Sequence, residues 1–74
     1  MHVTVKLFAF FRDNRFKIQD FIFEEGTTVR QVIEGFSIPV EEVGVTMING
    51  RHCQLDASLS ENDILSIFPM IGGG

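Results

Sequence analysis

Few side chains of this chain can act as nucleophiles, bases or soft metal ligands. Cys53 is the single thiol, and His2 and His52 are the two imidazoles. A closed zinc site needs four ligands, so we expect no metal site. Cys53 follows a predicted hairpin and has only His52 beside it to activate it. We therefore interpret Cys53 as a small buried hydrophobic residue rather than as a sulfur-carrying nucleophile.

The C-terminal stretch is the other candidate. It reads Phe68-Pro69-Met70-Ile71-Gly72-Gly73-Gly74, an apolar strand pattern followed by three glycines. Glycine loses more conformational freedom on ordering than any other residue, so residues 72–74 are predicted to form a flexible tail. Two interpretations are open at this point. The tail is a frayed end, or it is the functional site and a side chain there would obstruct access.

The composition indicates one small acidic domain. The chain has 74 residues, 45% of them hydrophobic, and a net charge of −4. A chain of this length buries only about 60% of its unfolded surface, so its apolar core must supply the stability. One cysteine precludes an internal disulfide and, without an evident signal peptide or membrane span, favours a cytoplasmic protein. Because an acidic domain repels phosphate backbones, we expect neither nucleic acid nor a membrane as partner.

Positive charge is concentrated near the start of the chain. Among the first 17 residues four cations stand against one acid, a charge of +3 within a chain of −4. The cations are Lys6, Arg12, Arg15 and Lys17, and the acid is Asp13. We interpret this basic cluster as the decoration of a solvated turn.

Alternating apolar residues predict an N-terminal β-hairpin. Residues 2–10 form the first strand, with Val3, Val5, Leu7 and Ala9 on one face and His2, Thr4, Lys6, Phe8 and Phe10 on the other. Residues 16–23 form the second strand, but their apolar phase slips between Ile18 and Phe21. A β-bulge near Gln19-Asp20 would bring Phe16, Ile18, Phe21 and Phe23 to one face.

One amphipathic helix follows. Val29, Val32, Ile33 and Phe36 recur at the spacing of a single helix face. Thr28 and Gln31 fit a capping box, and Pro39 fits the first position of a short helical turn through Glu42.

The rest of the chain predicts three more strands and completes the fold class. Asn49-Gly50 is a strong hairpin signal between strands 45–48 and 51–55. Residues 64–68 form the last strand, and the predicted core includes Met47, Leu65 and Ile67. Strands flanking one helix indicate an α+β fold with a mixed sheet packed on that helix. If the apolar first and last strands pair in parallel, the C-terminus leaves from the middle of the sheet.

Two stretches resemble a known family. "IPVEEVGVTMINGRHC" (Ile38–Cys53) and "NDILSIFPMIGGG" (Asn62–Gly74) are similar to the ubiquitin-like β-grasp sulfur carriers, the MoaD and ThiS proteins. The specific feature is a Gly-Gly terminus directly after the Phe68-Pro69 end of the last strand. The resemblance implies a β-grasp domain over residues 1–71 and a tail over residues 72–74.

The family resemblance also implies a mechanism. An E1-like adenylyltransferase of the MoeB/ThiF type would use ATP and Mg to adenylate the carboxylate of Gly74. A sulfur donor would then supply sulfur to displace AMP and leave a thiocarboxylate. The tail glycines Gly72 and Gly73 would thread the active sites of partners. The chain would bind no cofactor and would be a carrier rather than an enzyme, at most the non-catalytic small subunit of a synthase.

The resemblance leans towards the MoaD branch. The strand Val5–Asp13 and the "IFP" before the tail are similar to MoaD, whereas the short link between the first two strands and the triple glycine are also seen in ThiS. The receiving partner would be the large subunit of molybdopterin synthase or, in the alternative, thiazole synthase. A carrier for another pathway, such as tungsten cofactor synthesis, is also open.

The apolar residues near the tail predict a docking surface. Phe8, Phe68, Pro69, Met70 and Ile71 are the candidate partner-binding residues, because exposed apolar patches on small monomers mark interfaces. The alternative is that Phe8, Phe10 and Phe68 only cover one another or the hairpin. A different class of function, a ubiquitin-like binding module whose tail is never activated, is the runner-up.

Overall fold

The computed structural model describes residues 1–72, and Gly73 and Gly74 lie outside the described residues. Within this range a five-stranded sheet packs against one helix. The elements are β1 (His2–Leu7), β2 (Ile18–Ile22), α1 (Val29–Gly35), β3 (Val43–Ile48), β4 (Arg51–His52) and β5 (Asp63–Pro69), with 3₁₀ turns at Ala9–Arg12 and Val40–Glu42. The predicted α+β class, the helix and the 3₁₀ turn before β3 are confirmed.

The centre of the sheet is as predicted. The strand order is β2-β1-β5-β3-β4, and β1 and β5 are parallel whereas the other neighbours are antiparallel. Val5 lies opposite Leu65 in the parallel pair, and both side chains are fully buried. Since β5 is the middle strand, the chain leaves the sheet from its centre.

Helix α1 covers one face of the sheet and forms the core with it. Thr28 and Gln31 form the predicted capping box, with the Gln31 amide donating to the Thr28 hydroxyl at 3.3 Å. The buried apolar side chains of the helix and of the two central strands are Val29, Val32, Ile33, Val3, Val5, Leu7, Leu65 and Ile67. This cluster confirms the predicted core with the exception of Met47.

Met47 lies on the outer face, away from the helix, so its assignment to the core was wrong. It pairs with Ser66, while Thr46 pairs with the buried Ile67 and is itself only 6% exposed. A buried hydroxyl needs a partner, and that of Thr46 donates to the Cys53 carbonyl at 2.9 Å. A polar residue thus occupies the inner position that the sequence pattern assigned to an apolar one. Cys53 is half-buried rather than fully buried.

The predicted bulge near Gln19-Asp20 was also wrong. Pairing between β1 and β2 runs continuously from His2 with Ile22 to Lys6 with Ile18. Ile18 therefore points outward and is 54% exposed. Phe16 reaches the core side without a bulge because it precedes β2, and its ring lies 5.2 Å from that of Phe21. The irregularity of this sheet lies instead between Val43 and Val45.

Strand β1 is shorter than predicted and ends at Leu7. The Phe8 amide donates to the Ile67 carbonyl at 3.2 Å, and Ala9 then takes a positive φ of 51°. This change of direction starts a 3₁₀ turn that places Phe11 in the core, where it is 2% exposed. Phe10 does not continue the strand, and its ring packs edge-on against that of Phe11 at 5.1 Å.

Candidate functional site

The root of the tail is where β5 loses both of its neighbours. Pairing with β1 reaches only Ile67, and pairing with β3 reaches Pro69 opposite Val43. The Met70 amide makes one further hydrogen bond, to the Glu42 carbonyl at 2.8 Å. Beyond it Met70 is 53% exposed and Ile71 is 79% exposed. The described chain is thus held firmly up to Met70 and then projects from the sheet.

Gly44 determines how the tail root is seated, and sequence reasoning missed this role. A Cβ atom at this position would lie 2.9 Å from the Pro69 carbonyl oxygen and 3.0 Å from the Met70 Cα. Only glycine permits so close a backbone approach. The sequence analysis used Gly44 merely as the end of a helical turn. The available signal was a glycine inside a strand pattern, which indicates a bulge or a close approach.

An aromatic pair stands beside the tail root on the outer face of the sheet. The rings of Phe8 and Phe68 stack with centroids 4.0 Å apart and an interplanar angle of 13°. Both side chains are half-buried. They cover each other in part, as the alternative interpretation held, and they also present an aromatic surface away from the helix. Phe10 belongs to a separate contact with Phe11.

The five predicted partner-binding residues do not all lie at the surface. Phe8 and Phe68 are half-buried and Met70 and Ile71 are exposed, whereas Pro69 is buried. Pro69 is the last residue of β5, and its carbonyl lies against Gly44. It therefore cannot present its side chain to a partner in this conformation. The docking role of the other four residues stays a prediction.

One arginine of the predicted basic cluster lies over the aromatic pair, and a second lies elsewhere. The Arg12 guanidinium carbon lies 5.3 Å from the centre of the Phe8 ring, and Arg12 Nε donates to the Leu7 carbonyl at 2.7 Å. Arg15 instead ties the turn to the end of α1, donating from Nε to the Phe36 carbonyl at 3.2 Å. The predicted basic cluster thus divides into one structural arginine and a group beside the aromatic pair.

The chemically reactive side chains are not assembled into a catalytic group. Cys53 and His52 line a cavity of about 200 Å³ beside β3, whereas His2 is on β1, three strands away from β4. His2 Nδ1 lies 2.8 Å from the Glu61 carboxylate, and hydrogen bonds from the His2 side chain and backbone lower the pKa of Glu61. Across residues 1–72, no three His, Cys, Asp or Glu side chains converge as metal ligands would.

The helical part of the described chain is also short. No helix within residues 1–72 has the length and apolar character needed to cross a membrane.

The sequence matches the family model described as the ThiS family over residues 5–74. No curated protein matches the chain. A solved structure described as a candidate molybdopterin converting factor subunit 1 from Pyrococcus furiosus is 26% identical, with a TM-score of 0.77 over 96% of this chain and 99% of that one.

Two further structures share the fold at lower identity. SAMP1, a small archaeal modifier protein of Haloferax volcanii, is 19% identical over the whole of both chains, with a TM-score of 0.75. A complex of subunits 1 and 2 of molybdopterin-converting factor from Helicobacter pylori contains a chain 18% identical over the whole of both chains, with a TM-score of 0.65. At these identities the likeness shows the ubiquitin-like β-grasp fold alone, and it agrees with the fold predicted from the sequence.

Proposed function

The chain belongs to the ThiS family, and on that premise we propose that it is a sulfur carrier whose reactive group is the C-terminal carboxylate of Gly74. The observation that carries this proposal is the family match through Gly74, along a tail whose root projects from the central strand. Gly74 and Gly73 lie outside the described residues, so their role rests on the sequence.

The chemistry requires activation because a carboxylate is a poor electrophile. A carboxylate oxygen of Gly74 attacks the α-phosphorus of ATP in an E1-like adenylyltransferase, which releases pyrophosphate and forms an acyl-adenylate. Sulfur supplied by a donor at the oxidation level of sulfide attacks the acyl carbon. A C–S bond forms, the C–O bond to AMP breaks, and AMP leaves with the electron pair. The product is a thiocarboxylate, and no net oxidation occurs.

The residues of this chain bind and orient rather than catalyse. Glycines at 72–74 carry no side chain, so the backbone can enter a narrow active site. The aromatic pair of Phe8 and Phe68, with exposed Met70 and Ile71, is the proposed docking surface for the adenylyltransferase. Aromatic anchors next to a threaded tail give a partner a fixed contact while the tail enters its active site.

We assign the carrier to molybdopterin synthesis, as the small subunit of molybdopterin synthase. The Pyrococcus furiosus structure at 26% identity, described as a molybdopterin converting factor subunit 1, favours this branch. A protein of the same fold is described in complex with subunit 2 of that factor, and this supports a second subunit as the partner of this chain. The matching family model favours a second candidate, a carrier for the thiazole of thiamine with thiazole synthase as acceptor.

Intact-mass spectrometry tests the sulfur-carrier proposal. The chain is incubated with ATP, Mg²⁺, an E1-like adenylyltransferase from the same genome and a sulfide source. A carrier gains the mass difference between one sulfur and one oxygen, located by fragmentation at Gly74. As a positive control, the same enzyme must load a carrier that it is already known to activate. If this chain then keeps its original mass, the result would favour a binding module whose tail is never activated.

The pathway is tested with the loaded protein. The thiocarboxylate form is offered separately to a molybdopterin synthase large subunit with its pterin precursor and to a thiazole synthase with its substrates. We expect sulfur transfer only in the first reaction. Transfer only in the second would assign the chain to thiamine synthesis.

A further inference from the structure

A cavity on the outer sheet face combines an apolar lining with positive charge. Its volume is about 220 Å³, and it is lined by Lys6, Phe8, Arg12, Lys17 and Ile18. Lys6 lies opposite Ile18 across the β1–β2 pair, and the Leu7 amide donates to the Lys17 carbonyl at 3.0 Å. The strand pairing therefore fixes the positions from which the cations extend. We call these five residues the basic cavity.

The cations of the basic cavity are not neutralised by neighbours. Within residues 1–72 the ion pairs join the N-terminus to Glu25 and His2 to Glu61, and neither involves Lys6, Arg12 or Lys17. Asp20, two residues beyond Ile18 on β2, accepts a hydrogen bond from Thr4 at 2.7 Å. Three cations around an apolar lining attract a carboxylate that brings an apolar side chain with it.

Arg12 is already oriented for such a ligand. Its Nε atom is bound to the Leu7 carbonyl at 2.7 Å, and its guanidinium lies over the Phe8 ring. Among the hydrogen bonds within residues 1–72, this is the one that Arg12 donates, so its two Nη groups remain for a carboxylate. A guanidinium held in place loses little conformational freedom on binding and can donate two parallel hydrogen bonds.

We propose that the basic cavity binds an acidic segment of the adenylyltransferase that activates the tail. A carboxylate of that segment lies among the cations, and an adjacent apolar side chain packs on Phe8 and Ile18. This inference rests on the proposed function for the identity of the partner. The stack of Phe8 on Phe68 places the cavity beside the strand that leads to the tail. A partner that surrounds the tail therefore reaches this surface as well.

The charge distribution of the chain would orient an acidic partner segment towards the basic cavity. The chain carries a net charge of −4, so an acidic partner segment is repelled by the molecule as a whole and attracted at this cavity. Such complementarity acts mainly on the rate and the orientation of association. A nucleic acid fits less well, because its phosphates would have to approach an acidic domain along their length.

Direct binding is tested by NMR titration with a short blocked peptide in which glutamates flank one leucine. The matched probe has glutamines in place of the glutamates, and a short single-stranded RNA is a third probe. At low salt we expect the acidic peptide to give saturable shifts of the Lys6, Phe8 and Ile18 amides. The double variant Lys6→Gln/Lys17→Gln should lose them. The control double variant Arg30→Gln/Arg51→Gln, with the same net charge, should keep them.

The same two double variants are compared in thiocarboxylate loading. We expect Lys6→Gln/Lys17→Gln to raise the KM for the carrier roughly tenfold at low salt with kcat unchanged, and the difference to shrink at high salt. The control double variant should stay close to wild type. Arg12→Lys keeps the positive charge but loses the planar guanidinium with its paired N–H donors. It should raise KM less than Lys6→Gln/Lys17→Gln does.

The outcomes separate the two proposals. Peptide binding at the basic cavity without any loading of the wild-type chain overturns the sulfur-carrier proposal and supports the acidic-ligand surface. Efficient loading with equal KM for both double variants overturns the surface and supports the carrier. Three further results would overturn the proposal that the basic cavity binds an acidic segment. They are equal shifts from the glutamine and glutamate peptides, tighter binding of the RNA than of the glutamate peptide, and the absence of a saturable shift with the glutamate peptide.

Discussion

The backbone of Gly44 lies so close to the carbonyl oxygen of Pro69 that no side chain fits between the two strands. A Cβ atom at Gly44 would be 2.9 Å from that oxygen and 3.1 Å from the Met70 amide nitrogen. Because this contact is formed by backbone atoms, a side chain cannot be accommodated by a simple rotamer change. The contact fixes the direction in which the chain leaves the sheet, since Met70 is the last described residue with a hydrogen bond to β3 or its preceding turn.

Replacing Gly44 by Ala should move the root of the tail. We expect a loss of about 1–3 kcal/mol in the free energy of unfolding, typical of an overpacked contact. NMR should show shifts concentrated at the Met70 and Ile71 amides, and the rate of thiocarboxylate loading should fall more than the affinity for the adenylyltransferase.

Gly35 provides the matched control for this substitution. A Cβ atom at Gly35 meets nothing within 4 Å, and the residue ends α1. Gly35→Ala should leave loading unchanged and raise stability by up to about 1 kcal/mol. If Gly44→Ala were loaded normally and its Met70 NMR signals were unchanged, the close contact of Gly44 with Pro69 and Met70 would have no role in loading.

Phe68→Ala should weaken docking to the adenylyltransferase by about 2 kcal/mol, as loss of an aromatic anchor does. The variant also loses the stack with Phe8, which is worth about 0.5–1.5 kcal/mol beyond the buried area. Isothermal titration calorimetry measures the binding, and thermal unfolding measures the fold. Phe68→Leu keeps an apolar side chain but loses the ring, so it should lower the melting temperature less than Phe68→Ala does while still weakening the binding. Equal affinity of Phe68→Ala and wild type would remove the aromatic pair from the docking surface.

The helix and the two central strands could be predicted because their local patterns agree with their burial. Val29, Val32 and Ile33 have helical spacing, and the capping residues mark where the helix begins. The role of the three glycines stays a prediction, because Gly73 and Gly74 lie outside the described residues.

The predictions that failed depend on contacts between distant residues. The register of β3 against β5 places Thr46 opposite Ile67 on the inner face and Met47 opposite Ser66 on the outer face. The Thr46 hydroxyl then has its acceptor in Cys53, across the β3–β4 hairpin. The close approach of Gly44 to Pro69 depends on the register of two strands that are far apart in the sequence. The basic cavity likewise exists only when β2 pairs with β1 without a bulge, which turns Ile18 towards Lys6.

Ile33→Ala should destabilise the domain by about 2–5 kcal/mol, because Ile33 is fully buried and its removal leaves a cavity. A domain of this size has a total stability of about 5–10 kcal/mol, so part of the population should unfold. Urea titration followed by circular dichroism measures the change. Glu34→Ala, an exposed substitution on the same helix, is the control, and an unchanged midpoint for Ile33→Ala would contradict the assigned helix face.

Acid should weaken the contact between Glu61 and His2. Hydrogen bonds from His2 lower the pKa of Glu61 in the folded chain. A carboxyl whose pKa is lower in the folded than in the unfolded state stabilises the fold above its unfolded pKa, and this contribution is lost as pH falls through the folded value. NMR titration should therefore give Glu61 a lower pKa in the wild-type chain than in His2→Ala, and Glu61→Gln should reduce the loss of stability at acid pH. An equal pKa of Glu61 in the wild type and in His2→Ala would contradict the contact.

The tail supplies the most direct test of where sulfur is carried. Deleting Gly73 and Gly74 should abolish loading, since the activated carboxylate would no longer reach the active site. We expect no change in the melting temperature, because the predicted role of these residues is in the partner rather than in the fold. One residue added after Gly74 should also block loading. Gly73→Val should fail for a different reason, because its branched side chain narrows the accessible φ range and widens the chain.

Cys53→Ser is the counterpart of the tail deletion in the same mass assay. The Cys53 thiol is half-buried and lies 3.4 Å from the Thr46 hydroxyl, a position that suits packing rather than attack on a partner. A serine hydroxyl can keep that hydrogen bond, so the variant should fold and load as wild type does. If the deleted chain still acquired sulfur and Cys53→Ser did not, the carrier atom would be the thiol, and the three glycines would need another explanation.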